Sequence, residues 1–204
     1  MKRVKHREIA SAQDLIVEEL FSIFDDAIMH GGTAIWRCYQ GNRFSEDIDI
    51  YIQKNEERLN LLFSNLKKRG FLIEKRKISQ NSLFSKLKLN NAIVRLEGIF
   101  KKQEGILKEY ETVEGNLITV NTLSSEELIK EKINAYIKRQ KIRDLYDVFF
   151  LLRHVKDKEK IKKNLKILLK DFKKPIDEGE LKILILEGLV PNVEKMVQYI
   201  RSFL

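Results

Sequence analysis

The run Asp47-Ile48-Asp49-Ile50-Tyr51-Ile52 limits the fold more than any other stretch of the chain. It alternates with period two, the pattern of a half-buried β-strand. Residues two apart on a strand project from one face, so Asp47 and Asp49 point at one spot while Ile48, Ile50 and Ile52 face a core. Two carboxylates that close repel each other unless a cation lies between them. Hard oxygen donors at this density suit magnesium or manganese, which bridge to substrate phosphates. The same alternation also fits a solvated outer strand face, and the pair alone does not choose.

A second feature lies just upstream, in His30-Gly31-Gly32-Thr33. Two glycines let the backbone turn tightly and leave its amides bare. They precede an expected short helix, Ala34 to Tyr39, whose free N–H groups and dipole favour a phosphate. A phosphate cradle followed at short range by paired acids is the arrangement a nucleoside triphosphate requires. Arg37 and Arg43 are further candidates for phosphate contacts. Ser45 shares the face of Asp47 if the strand extends back that far, which would set its hydroxyl beside the metal or a phosphate.

The rest of the chain divides by period. Leu15, Ile16, Leu20, Ile23 and Phe24 recur at helical spacing within 11–27, and 56–69 is helical up to Gly70. Phe71 to Lys77, Leu83 to Leu89 and Ala92 to Phe100 carry β signals. Ile106 to Glu111 and Asn116 to Val120 read as a hairpin around Gly115. From Ser124 onward only helical patterns remain: 128–138 behind a Ser124 or Ser125 cap, then 145–155, 158–171, 181–187 and 193–203. The expected architecture is α+β, with an α/β head over residues 1–122 and a helical part over 123–204. Within the first of those helices, at about 100° per residue, Lys132 falls about 40° from Leu128, inside the stripe of Ile129, Ile133 and Tyr136. A lysine there must snorkel out or find an anion, and a triphosphate would serve.

Composition sets outer limits. No apolar run approaches the roughly 18 residues that span a bilayer. The basic stretch Met1 to Glu8 has no apolar segment behind it, so no secretory signal is expected. Cys38 is the single cysteine, which excludes an internal disulfide and suits a reducing, cytoplasmic address. Lys and Arg number 39 against 30 Asp and Glu, and the net charge of +9 draws the chain toward nucleic acid, a nucleotide or an acidic partner. A solvated lysine surface gives the same number, and the lysines of 156–174 carry the same two readings.

The blocks His30-Gly31-Gly32-Thr33-Ala34-Ile35 and Arg43-Phe44-Ser45-Glu46-Asp47-Ile48-Asp49 resemble the signature of the AbiEii/AbiGii-type nucleotidyltransferases, toxins of toxin–antitoxin and phage-defence systems. Glu131-Lys132-Ile133-Asn134-Ala135 and Arg143-Asp144-Leu145-Tyr146-Asp147 follow in the family's order, so the resemblance covers residues 28–152. It implies a nucleotidyltransferase-like mixed sheet with flanking helices, then an all-helical C-terminal part contributing to the same active site. It implies a nucleoside triphosphate substrate, Asp47 and Asp49 as ligands for Mg2+ or Mn2+, and Gly31, Gly32 and Thr33 as the phosphate loop. Folds of this kind often supply a third carboxylate. Glu97 is the candidate, the alternative being a cross-strand partner for a surface lysine. Lys132 would bind phosphate and Asp144 would complete the site, although Asp144 also suits a cap for a helix beginning near Leu145. The implied acceptor is an RNA 3′ end, foremost tRNA, and the implied partner a separately encoded antitoxin, with no membrane. A protein hydroxyl is the alternative acceptor. A non-catalytic module binding nucleotide or protein is the alternative of another class.

Overall fold

The structure is a computed structural model that describes residues 4–170 and 172–204. Met1, Lys2 and Arg3 of the basic N-terminal stretch, and Asp171 at the expected end of a helix, lie outside the described residues. The chain divides into two compact units: the segment ending at Cys38 with Ser45–Leu123, and Tyr39–Phe44 with Ser124–Leu204.

The first unit runs α1 (Val4–Ile23), β1 (Ile28–His30), α2 (Gly31–Cys38), β2 (Asp47–Ile52), α3 (Glu56–Lys68), β3 (Leu72–Ile78), β4 (Ser82–Leu89), β5 (Ala92–Phe100), β6 (Ile106–Glu111) and β7 (Leu117–Thr122). Its strands form one mixed sheet in the order β3-β4-β5-β2-β1-β7-β6. β2 is parallel to β5 and antiparallel to β1, and β1 is parallel to β7. The period-two pattern becomes two unlike sheet faces. Met29, Ile48, Ile50, Leu83, Leu87, Val94 and Leu96 are buried on one of them. α1 packs against β5 and α3 against β3.

α3 forms because Leu59, Leu62, Phe63 and Leu66 recur on one face, all buried. Asn55 caps its start by accepting from the Arg58 N–H, and Glu56 and Glu57 complement the helix dipole. Gly70, at φ +93°, ends it in the left-handed conformation a glycine tolerates.

A buried polar clamp joins α1, α2 and β6. Asp14 accepts from the Arg37 guanidinium, from the Tyr110 hydroxyl at 2.8 Å and from the Val113 N–H at 2.7 Å. Burial outweighs these partners and holds the Asp14 carboxyl above its ordinary range. Arg37 also lies over the Trp36 ring, 4.5 Å from its centroid. The phosphate contact expected of Arg37 therefore gives way to a structural role: its side chain is buried and engaged within the core of the unit.

The second unit contains α4 (Ser125–Arg139), α5 (Ile142–Leu151), a 3-10 turn at Leu152–His154, α6 (Glu159–Lys170), a 3-10 turn at Glu178–Glu180 running into α7 (Leu181–Leu184), and α8 (Val193–Arg201). Ser124 caps α4 through the Glu127 N–H. α6 buries Ile161, Leu165 and Leu168, so its lysines form the outer face of an amphipathic helix. Glu126 accepts from the N–H groups of Lys156 and Asp157, tying α4 to the turn ahead of α6.

Several boundaries differ from expectation. α1 starts at Val4 rather than Ser11, because Ile9 and Ala10 continue its buried stripe. α2 starts at Gly31 itself rather than at Ala34. Residues 39–44, expected in the head, belong to the helical unit. Asn42 accepts from the Leu186 N–H, Arg43 forms a β-bridge with Ile185, and the Phe44 N–H donates to Leu184. Among the described residues no helix is long and apolar enough to cross a membrane.

The clamp yields a stability prediction. Asp14→Ala leaves the buried Arg37 guanidinium without its anion and is expected to cost about 3–5 kcal/mol, the range for breaking a buried ion pair. Urea unfolding followed by circular dichroism measures this, and a loss under 1 kcal/mol would show that water reaches Arg37.

Candidate active site

β2 carries Asp47 and Asp49, and the strand register supplies their neighbours. Asp49 is flanked by His30 on β1 and Glu97 on β5, and Asp47 by Arg95 on β5. Three carboxylates thus share one patch of a single sheet face. Burial, and then repulsion from Asp49 and Asp47, pushes the Glu97 carboxyl above its ordinary range, with Arg95 offsetting only part. Glu97 is therefore a neighbour of the two acids rather than the cross-strand mate of a surface lysine.

Gly31 explains how Asp49 reaches its position. Gly31 has φ +72°, and a Cβ built on it would stand 2.0 Å from Asp49 Oδ2. The carboxylate thus fills the space a side chain would occupy at the first residue of α2. Gly32 follows, buried, in the same turn. Thr33 is fully buried, and its hydroxyl donates to the Asp47 carbonyl, which fastens α2 to β2. Within the expected phosphate loop, the Thr33 hydroxyl is thus engaged by the backbone.

Arg95 was not assigned a role from sequence. It donates from Nε and Nη2 to both Asp47 oxygens, at 2.6 Å each, while its side chain stays 48% exposed. The alternation of charged residues in Arg95-Leu96-Glu97 marks the face, but only the register of β5 on β2 places Arg95 opposite Asp47. Beside the acids, Tyr51 stacks on His30 with centroids 3.9 Å apart, and Lys101 lies 3.9 Å from the Tyr51 ring centroid. Ser45 departs from expectation. β2 begins at Asp47, so Ser45 lies outside the strand and the shared strand face does not extend to it. Its carbonyl accepts from the Gln13 side chain at 3.0 Å.

Could this donor set hold a divalent cation? Among the described residues no three His, Cys, Asp or Glu side chains converge on a self-sufficient metal site. A closed protein cage is unnecessary for magnesium, which is held by one or two carboxylates together with substrate phosphates. Two hard carboxylates crowded against a third acid fit that open kind of site.

The second unit holds a buried ionic cluster. Asp147 is fully buried and accepts from Arg43 at 2.7 and 2.8 Å and from Lys132 Nζ at 2.8 Å. Burial works against this charge, yet Arg43 and Lys132 outweigh it and hold the Asp147 carboxyl below its ordinary range. Asp144, also fully buried, accepts from Arg139 at 2.6 and 2.7 Å and lies 3.9 Å from Lys132. Asp144 does not cap a helix near Leu145, since α5 begins at Ile142 behind Lys141. Arg43 also donates to the Phe44 carbonyl at 2.9 Å, so each of its three nitrogens is engaged within its unit. The structure makes Arg43 the partner of Asp147 rather than a phosphate ligand. The anion that Lys132 requires inside its apolar stripe is likewise Asp147.

The fold matches known structures along nearly the whole chain. JHP933 from Helicobacter pylori superposes with a TM-score of 0.69 at 19% identity, covering 98% of this chain and 90% of that one. MenT4, a nucleotidyltransferase toxin from Mycobacterium tuberculosis H37Rv, superposes with a TM-score of 0.68 at 16% identity, covering 98% and 84%. The class is thereby the nucleotidyltransferase-toxin fold. Curated proteins give no significant sequence match. Residues 15–197 match the family described as nucleotidyl transferase AbiEii toxin, type IV toxin–antitoxin system, and the chain belongs to that family. It is a nucleotidyltransferase.

Two substitutions test the geometry. Gly31→Ala forces a Cβ into the Asp49 carboxylate at a positive φ and is expected to cost about 1–2 kcal/mol. A crystal structure of the variant should show Asp49 displaced. Lys132→Met removes one of the two cations that face Asp147 and should cost about 3 kcal/mol. That is the low end for a buried pair, because Arg43 still faces Asp147. Calorimetric unfolding together with nucleotide titration separates the roles, since unchanged stability with lost nucleotide affinity would return Lys132 to phosphate binding.

Proposed function

We propose that the enzyme transfers a nucleotidyl group from a nucleoside triphosphate to an RNA 3′ end, and that it does so with a divalent cation. The observation that carries this reading is the register that sets Asp49 between Gly31 and Glu97 with Asp47 on the same face. Asp47 and Asp49 would hold magnesium or manganese, which when bound neutralises the charge of the triphosphate as pyrophosphate departs. Gly31 and Gly32 open α2, whose N-terminal amides suit a phosphate.

The bond changes balance without a further reagent. The acceptor hydroxyl oxygen forms a bond to the α-phosphorus, and the bond from that phosphorus to its bridging oxygen breaks, releasing pyrophosphate. Glu97, beside Asp49 on the neighbouring strand, would take the hydroxyl proton. RNA is favoured as acceptor by the net charge of +9, which matches a polyanion. A separately encoded antitoxin is the regulatory partner that membership of the family suggests.

Incubation with each labelled nucleotide, magnesium and total cell extract tests this reading. Label removed by RNase is the expected result, and label removed only by protease would make the acceptor a protein. Asp49→Asn is expected to lower transfer roughly a hundredfold or more. Direct manganese titration should find weaker binding in that variant and, in Arg95→Ala, about tenfold tighter binding, because the cation no longer competes with a bidentate guanidinium.

A further inference from the structure

The sheet face that bears the acids continues outward over β5, β4 and β3, and its register arranges charge in rows. One row runs Lys75, Lys86, Arg95, Asp47 from the edge strand inward. The next runs Lys77, Phe84, Glu97, Asp49. Each row therefore begins with a cation on β3 and ends with an acid on β2. At about 4.8 Å per strand the path is about 14 Å long.

Apolar side chains are interleaved with these cations, with Leu72 at 61%, Ile99 at 45% and Ile93 at 39% exposure. Phe84 is partly exposed, with the Lys75 ammonium 5.4 Å from its ring centroid. Among the described residues the buried side chains of these strands, Leu83, Leu87, Val94 and Leu96, lie on the opposite face. Glu74, amid the outer cations, pairs with Lys86 at 2.7 Å.

From this juxtaposition we propose that the open face of β3, β4 and β5 is the track for the single-stranded end of the nucleic-acid acceptor. Its phosphates meet Lys75, Lys77 and Lys88 (the last opposite Ile93 of β5 in the register), its bases rest on Phe84 and the exposed isoleucines, and its terminal hydroxyl lies at the acids of β2. A duplex would offer phosphates alone and leave the apolar residues wet, whereas an unstacked strand satisfies both. The polarity of the rows gives direction, since a polyanion is drawn over β3 and β4 and only its end reaches the acidic patch. This proposal rests on the transfer to RNA proposed above.

The test is fluorescence anisotropy with a short labelled single-stranded RNA, without nucleotide or added metal, at several salt concentrations. Reversing Lys75, Lys77 and Lys88 to glutamate should weaken binding at least tenfold and flatten the salt dependence, because fewer counterions are released. Phe84→Ala should weaken binding several-fold with the salt slope unchanged. Melting curves establish that both variants fold. Wild-type affinity and salt slope in the folded triple variant would overturn the track, as would equal or tighter binding of blunt duplex RNA. Failure of the underlying reading is distinguishable: a track that binds RNA in an enzyme that labels only protein leaves the face standing and removes the RNA acceptor.

Discussion

The carboxylate of Asp49 lies where a side chain on residue 31 would otherwise stand, and the placing of the acid pair depends on that close approach. Gly31 combines a positive φ with the absence of a Cβ, so the chain can leave β1, enter α2 and still admit an acid from the next strand. Thr33 then anchors the same turn to the Asp47 backbone. The two acids are held from the glycine side by geometry and from the β5 side by Arg95. What results is a concentration of negative charge that no neutral packing would tolerate without a cation close by.

Arg95 supplies that cation in the structure, and its partial exposure defines its character. A fully buried guanidinium would be a permanent structural partner, as Arg37 is to Asp14. An exposed one keeps access to water and to other anions, so its hold on Asp47 is exchangeable. The two arginine–aspartate pairs of the first unit use the same chemistry at different depths. The deeper pair fixes α1 against α2, and the shallower one stands at the edge of the reactive face.

Strand positions were legible because burial on one face writes a period of two into the residues. β2, β5 and β6 fall where alternation puts them. The acid pair and Gly31 were legible for the same reason, being local in sequence. Partners supplied by register were not. Nothing in 92–100 says that its strand lies parallel to β2, so the closeness of Arg95 and Glu97 to the acids emerges only from pairing across a crossover. Ser45 shares the face of Asp47 only if the strand reaches it, and a strand's start depends on where its ladder begins, here at Asp47. The grouping of 39–44 with the helical unit is not legible locally, because its pairing with 184–186 spans most of the chain length.

Lys132 and Asp144 show how a motif and its physical role can diverge. A helical wheel correctly marks Lys132 as a cation within an apolar stripe that needs an anion. It cannot say whether that anion is a ligand or a neighbour. In the structure two acids, Asp144 and Asp147, face three cations, Arg43, Lys132 and Arg139. Asp147 is satisfied from two different chain segments, since Arg43 comes from the short segment and Lys132 from α4. Removal of Asp147 takes from the buried Arg43 its carboxylate partner, so the cluster is specified as a set even where its net stabilisation is small. A set of this kind fixes where residues 39–44 run, and the chain passes directly from Phe44 through Ser45 and Glu46 to the first acid of β2. Charge burial in the helical unit and acid placement in the sheet are thus consecutive along the chain.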